Sequence, residues 1–226
     1  MSVRVGLLDS GLGSEHHPVA AVYVPDGGAL QAVRPDPSGH GADMARIIRR
    51  VAPQADFLLA QIFDADLTST PARVAAGLAW CAGQGAQVVA MCLGLTRDEP
   101  LLRAACARAA SAGLDLVASA SPRGRPVFPA AYPGVISVCG DARCTAGQLS
   151  ALGGAPADFG ACNIWEAGGR RGASCAAASV TGLIAAWRAT GGTGEAGQYL
   201  RSIALFEGRE RRSAQNLNRK DAGRED

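Results

Sequence analysis

Short apolar runs alternate with segments of helical period along most of this 226-residue chain. Strands that are apolar throughout and separated by helices are typical of a parallel sheet covered on both faces. The fold class is therefore predicted to be α/β, a doubly wound and mostly parallel sheet with helices on both faces. The predicted strands are Val3 to Leu8, Ala55 to Ile62, Ala86 to Leu93, Leu114 to Ser119 and Val135 to Cys139, and the predicted helices lie near 40–51, 70–83, 99–112, 174–189 and 195–206.

The composition changes sharply at Glu207. From there to the end, five acids and six bases accompany one large apolar residue, Leu217. Such a segment has too little apolar surface to fold by itself. We predict one domain over residues 1–206 and a charged, flexible tail over 207–226, and docking of a partner through this tail is an open alternative.

The overall composition excludes several classes of partner. With 48% hydrophobic and 19% charged residues, the chain can bury a sizeable core. A net charge of +2 and an aromatic content of 5% do not indicate a nucleic-acid surface. No apolar run reaches the roughly 20 residues that span a bilayer, and the N-terminus lacks a secretory signal pattern. We expect a cytoplasmic protein without nucleic-acid or membrane partners.

The seven cysteines are odd in number, scattered in spacing and without a CxxC pair. Several fall inside predicted strands or helices. Reduced and mostly buried thiols are the simplest interpretation, with a disulfide framework or a zinc site as lesser alternatives. We expect no metal and no cofactor.

Asp9 ends the first predicted strand and is followed by the glycine-rich turn Ser10-Gly11-Leu12-Gly13. Functional groups of parallel sheets gather beyond the carboxyl ends of the strands. A carboxylate there can orient a histidine and stabilise its imidazolium. Capping of a turn or binding of a ligand is the alternative for Asp9 alone.

His40 and Ser174 each begin a predicted helix. Glycines flank His40, so the backbone can pass close to a substrate, and histidine is the usual general base near neutral pH. Ser174 follows Gly172-Ala173, where free amides of the first helical turn can stabilise a negative charge. Taken singly, His40 is as well explained by a structural role and Ser174 by a helix cap.

Taken together, the three motifs occur in the order Asp, His, Ser, and the chain resembles the subtilisin family of serine peptidases, the subtilases. The likeness extends over residues 3–190 and includes VAPQA after His40, VVAMCLG at 88–94 and PAAYPGVISV at 129–138. The resemblance implies a catalytic triad of Asp9, His40 and Ser174. It also implies that an extended peptide pairs with two short segments of main chain, comprising Leu93, Gly94, Ala118, Ser119 and Ala120.

Two positions depart from the family pattern. Pro122 stands where the family has an asparagine that donates to the oxyanion hole, and proline has no amide hydrogen and no side-chain donor. We expect the Ser174 amide and the Ser121 hydroxyl to form the oxyanion hole, with Ser119 as another candidate donor. Ala178 replaces a family proline and removes no catalytic group.

The resemblance implies a serine endopeptidase. No long prosegment is evident before the first strand, and the altered oxyanion hole suggests low activity, so we expect a processing peptidase that removes a leader from one partner. The chain is similar to the small subtilases that mature quinohemoprotein amine dehydrogenase, whose small-subunit precursor would then be the substrate.

Three other functions are alternatives to this one. A general intracellular peptidase would cleave unfolded proteins at many sites. A weak or inactive subtilase would bind peptides as a scaffold or chaperone, which the loss of the asparagine favours. A nucleotide-binding domain would need a GxGxxG continuation after Gly11, which is missing.

Overall fold

The computed structural model describes residues 2–121, 124–154, 157–164 and 169–209. Among these residues, no helix is both long enough and apolar enough to cross a bilayer. The strands are β1 (Val3–Asp9), β2 (Ala20–Tyr23), β3 (Ala55–Gln61), β4 (Val88–Met91), β5 (Asp115–Ser119), β6 (Val135–Gly140), β7 (Leu149–Ala151), β8 (Phe159–Ala161) and β9 (Phe206–Glu207). The helices are α1 (His40–Val51), α2 (Pro71–Gly83), α3 (Pro100–Ser111), α4 (Ala173–Ala189) and α5 (Ala196–Ile203).

Within the described ranges, all nine strands join one sheet in the order β2-β3-β1-β4-β5-β6-β8-β7-β9. Every neighbouring pair from β2 to β8 is parallel, whereas β7 pairs antiparallel with β8 and parallel with β9. Strand β1 lies between β3 and β4, so its carboxyl end is at the centre of the sheet edge. The predicted α/β class with a mostly parallel sheet is confirmed.

The side chains of the central strands alternate between two apolar layers. In β4, Val88 and Ala90 pack with α1, α4 and α5, whereas Val89 and Met91 pack with α2 and α3. This alternation follows from the two-residue period of a strand. Because both faces are covered, the sheet is doubly wound as predicted, and functional groups can reach a substrate only from its edges.

The end of the described chain differs from the prediction. Helix α5 ends at Ile203 rather than near residue 206, and the chain then becomes extended and pairs with β7. Strand β9 includes Glu207, the first residue of the predicted tail, and the Gly208 amide donates to the Ala151 carbonyl at 2.8 Å. Residues 210–226 lie outside the described residues, so the rest of the tail remains a prediction.

Helices α1 and α4 cross closely at Gly182. A Cβ atom placed on Gly182 would lie 2.8 Å from Val51 Cβ and 3.1 Å from the Ile48 carbonyl oxygen. Both distances are shorter than an ordinary van der Waals contact, and one of the opposing atoms belongs to the backbone. The glycine therefore sets how near the two helices approach each other.

Replacing Gly182 with alanine should lower the free energy of unfolding by about 1–3 kcal/mol, because α1 and α4 must separate. Gly83→Ala is the matched control: Gly83 is an exposed residue at the end of α2, and its added Cβ would meet no atom of the described part of the chain within 4 Å. It should raise stability by about 0.4–1 kcal/mol. Urea unfolding followed by circular dichroism compares the two. Equal stabilities would contradict the close crossing.

Candidate active site

Three side chains converge at the carboxyl edge of the sheet. Asp9 is the last residue of β1, His40 is the first residue of α1, and Ser174 is the second residue of α4. In this topology the helices that follow parallel strands begin at the same edge where the strands end. The fold thus brings together residues that are up to 165 positions apart in sequence.

Asp9 and His40 form a buried hydrogen bond. The Nδ1 atom of His40 lies 2.7 Å from Oδ1 of Asp9, whose carboxylate is fully buried, and His40 is 8% exposed. A carboxylate accepts, so Nδ1 donates, and in the neutral ring Nε2 then carries the free lone pair. This is the tautomer that a general base needs.

Glycines on either side of His40 allow this approach. Gly39 adopts a left-handed conformation, with φ of 64°, which few other residues tolerate. Gly41 packs its α-carbon against the Gly11 carbonyl oxygen, and a Cβ atom there would overlap that oxygen. The first turn of α1 therefore rests directly on the backbone that follows Asp9.

A hydrogen-bonded network fixes the loop before His40. The Ser38 hydroxyl donates to Asp36 Oδ1 at 2.7 Å and accepts from the His40 amide at 3.1 Å. The Ser10 hydroxyl lies 3.0 Å from Asp36 Oδ2 and accepts from the Gly41 amide at 3.1 Å. The sequence prediction did not include this network, although the spacing of Asp36 and Ser38 ahead of His40 was a signal for an Asx turn.

Ser174 lies where α4 begins. Gly172, the residue before the helix, has a φ of 133°, a conformation that favours glycine, and turns the chain into α4. The Ser174 hydroxyl donates to the Cys92 carbonyl at 3.1 Å. Ser174 and His40 line one cleft with a volume of about 440 Å³. Two of the three predicted triad residues thus line one cleft, and the third, Asp9, is buried behind His40 and bonded to it.

The predicted substrate-binding residues divide between neighbouring regions. Leu93, Gly94 and Ser119 line the cleft that contains His40 and Ser174. The side chain of Ala118 packs into the apolar layer on the α2 and α3 side of the sheet.

Ala120 and Ser121 line a second cavity of about 560 Å³. This cavity adjoins the carboxyl end of β5. Pro122, the position of the missing family asparagine, lies outside the described residues.

The described lining of the cleft around His40 and Ser174 contains no aspartate, glutamate, lysine or arginine. Its remaining members are apolar residues, glycine, hydroxyl side chains and one buried thiol. A cleft of this kind suits an uncharged stretch of peptide. The other lining residues are Phe63, Leu67, Thr68, Ser69, Cys92, Leu93, Gly94, Leu95 and Ser119.

No group of three or more His, Cys, Asp or Glu side chains that could hold a metal ion occurs among the described residues.

The sequence matches a known protein family over most of its length. The model of the subtilase family matches residues 1–166, which include Asp9 and His40. The chain belongs to the subtilase family. The match ends before Ser174, whose position at the start of α4 comes from the structure.

Curated relatives agree with this membership. The chain is 32% identical over 149 residues to a thermostable alkaline protease of Halalkalibacterium halodurans, a match that covers 60% of this chain and 40% of the relative. It is 30% identical over 152 residues to thermitase of Thermoactinomyces vulgaris, covering 60% and 53%. It is 26% identical over 156 residues to subtilisin DY of Bacillus licheniformis, covering 61% and 56%. The matches thus span only 40% to 56% of these relatives' own lengths.

Solved structures share the fold. A lanthipeptide protease superposes with a TM-score of 0.66 at 19% identity, covering 90% of this subtilase and 80% of the other chain. The prenylagaramide maturation protease PagA superposes with a TM-score of 0.61 at 19% identity, covering 88% and 81%.

The two cysteines next to Ser174 are buried, Cys175 beside it in sequence and Cys92 beside it in space. All seven cysteines are free, and six of them are buried, which confirms the prediction that most are buried. Burial raises the pKa of the Cys175 thiol to about 11. Burial, together with the nearby charges of Asp9 and Cys175, raises the pKa of Cys92 well above its usual range. Neither neighbour of Ser174 is thus suited to replace it, since the thiolate is the reactive form.

A thiol reagent should therefore distinguish Cys162, which is half-buried, from the six buried cysteines. We expect one fast-reacting equivalent when the native protein is titrated with Ellman's reagent at pH 8, and seven equivalents after denaturation. Cys162→Ser should remove the fast phase. A fast phase that survives this substitution would contradict the burial described for the other six.

Proposed function

We propose that this subtilase is a serine endopeptidase that processes a peptide or protein precursor. The observation that carries the proposal is the 2.7 Å bond between His40 Nδ1 and Asp9 Oδ1, at a cleft that Ser174 also lines. In the proposed reaction Ser174 attacks the scissile carbonyl, and His40 takes its proton and later delivers it to the leaving amine. Asp9 holds the ring in the required tautomer and offsets the charge of the imidazolium.

The Ser174 hydroxyl must turn before it reacts, because its proton is directed at the Cys92 carbonyl in this structure. A neutral hydrogen bond of this kind contributes only about 1 kcal/mol, so exchange for a bond to His40 is inexpensive. Rotation about the Cα–Cβ bond leaves the helix in place. We take the observed rotamer to be a resting state that a bound substrate displaces.

The proposed substrate is the junction between a leader and the segment it precedes. The two solved structures of similar fold are named as a lanthipeptide protease and a prenylagaramide maturation protease, which supports peptide maturation over bulk degradation. The uncharged lining of the cleft supports a neutral or apolar sequence at the cut. We further propose a cytoplasmic reaction whose substrate is the small-subunit precursor of quinohemoprotein amine dehydrogenase, as the sequence resemblance implies.

Ser119 is the better candidate for the second oxyanion donor. It is 7% exposed, and its Oγ atom is buried without a hydrogen-bond partner among the described residues. Val117, two positions earlier in β5, packs in the layer that contains α4, so Ser119 faces the same side, toward Ser174. An unpaired buried hydroxyl costs about 1–3 kcal/mol, which a substrate oxygen in the cleft would offset. Ser121 lines the adjacent cavity instead.

The peptidase proposal is tested by covalent labelling and by mass spectrometry. A fluorophosphonate should label the wild-type protein at Ser174 and should not label Ser174→Ala. Precursor peptides incubated with the wild type should show one serine-dependent cut. Asp9→Asn should lower kcat on the order of 10⁴-fold, because the histidine loses its orienting partner.

Two outcomes would oppose the proposal. Absence of labelling in both proteins, with retained binding of precursor peptides, would favour a scaffold. Many cuts in casein would favour a general peptidase.

The oxyanion assignment has its own test. Ser119→Ala should lower kcat about 100-fold with little change in KM, because the donor acts on charge that develops only in the transition state. Ser119→Thr, which keeps a hydroxyl, should retain more activity. Ser111→Ala, an exposed substitution at the end of α3, is the matched control. If Ser121→Ala lowers kcat instead, the earlier prediction of Ser121 as the donor is correct.

A further inference from the structure

A cation on the segment before Ser174 reaches across to the helix that carries His40. Arg170 lies four residues before the serine, and its Nε atom donates to Asp43 Oδ2 at 2.8 Å. Its Nη2 atom donates to the Ser38 carbonyl at 3.1 Å. One guanidinium therefore contacts α1 three residues after His40 and the loop two residues before it. The contact joins positions 127 residues apart.

Asp43 is itself held on its second side. Its Oδ1 atom accepts from Arg46 Nη1 at 2.8 Å, and Arg46 also forms an ion pair with Glu15. Burial acts to raise the pKa of Asp43, but the hydrogen bonds from Arg170 and Arg46 outweigh it and leave the pKa below its usual range. Both carboxylate oxygens of Asp43 therefore accept hydrogen bonds, and the bond to Arg46 holds the carboxylate in the position that Arg170 contacts.

The segment between Arg170 and the serine pairs with the described chain on one side, where Arg171 forms an antiparallel bridge with Ile164. The Gly172 amide donates to the Asn163 carbonyl at 3.0 Å as part of the same pairing. A Cβ atom on Gly172 would meet no atom of the described residues within 4 Å, so none of their side chains packs against the residue in that direction. On the other side, the Arg170 side chain connects this segment to the loop and helix around His40 through its bonds to Ser38 and Asp43.

We propose that the Arg170–Asp43 ion pair is a clasp that sets the position of Ser174 relative to His40. Both residues are positioning residues, since neither lines the cleft. The inference rests on the proposed function, because alignment matters only if the two groups react. Displacement of a reacting group by about 1 Å can reduce turnover on the order of 100-fold. Partly exposed ion pairs, by contrast, contribute little to folding stability. The clasp should therefore influence catalysis more than stability.

The test compares Arg170→Ala and Asp43→Asn with Arg171→Ala. Arg171 is an exposed neighbour whose side chain makes no ion pair with the described residues. We expect the first two variants to lower kcat about 10- to 100-fold, with KM changed less than about threefold and the melting temperature shifted by no more than about 2 °C. The rate of fluorophosphonate labelling at Ser174 should fall in the same proportion. Arg171→Ala should match the wild type.

Further variants separate a clasp from independent effects. If Arg170 and Asp43 act through each other, the double variant should be no slower than the slower single variant. Arg170→Lys keeps the charge but not the planar fork, and should recover part of the lost kcat. Unchanged kcat in Arg170→Ala, or losses that multiply in the double variant, would overturn the clasp.

Failure of the proposed function gives a different pattern. It would appear as a wild-type protein that is neither labelled nor active. The clasp is then tested without turnover, by comparing the amide resonances of Gly172 and Ser174 in the wild type and in Asp43→Asn, a substitution far from both amides in sequence. Shifted and broadened signals would support the clasp, and coincident signals would overturn it.

Discussion

The contact between the first turn of α1 and the backbone after β1 is the constraint on which the site depends. Gly41 packs against the Gly11 carbonyl oxygen at a distance that no side chain would permit. Because the helix begins this close to the end of the strand, His40 can reach the buried Asp9 carboxylate. The 2.7 Å bond between them follows from backbone packing as much as from the chemistry of the two side chains.

The serine side of the site is built differently. Ser174 contacts the residue that follows β4: its hydroxyl donates to the Cys92 carbonyl, and the Cys92 thiol lies 3.6 Å from the Ser174 carbonyl oxygen. His40 is held in place by close glycine packing and by hydrogen bonds from the first turn of its helix to Ser38 and Ser10 in the surrounding loops. Ser174 is held by its position in the first turn of α4 and by hydrogen bonds with Cys92, which is distant in sequence. The two halves meet across the cleft, and their alignment depends on the elements that join them.

The sequence allowed the central strands and the order of the candidate triad to be predicted. Strands β1 and β3 are buried between layers of helices, so most of their residues are apolar on both faces. A short run of consecutive apolar residues is therefore visible in the sequence at each strand. Strands β7, β8 and β9 have only two or three residues each, and they form because neighbouring strands supply their hydrogen bonds, so no local pattern marks them. The Arg170–Asp43 pair was equally hidden, since charged residues far apart in sequence are typical of ordinary surface positions.

The close crossing at Gly182 also connects the core to the cleft. His40 and Ser174 stand at the first turns of the two helices that touch there. Gly182 lies eight positions after Ser174 in α4, a rise of about 12 Å along the helix. The base and the hydroxyl are thus carried by two helices whose separation is set at this crossing. Evolution can therefore adjust the gap between these groups by altering side-chain volume deep in the interior, leaving every residue at the cleft unchanged.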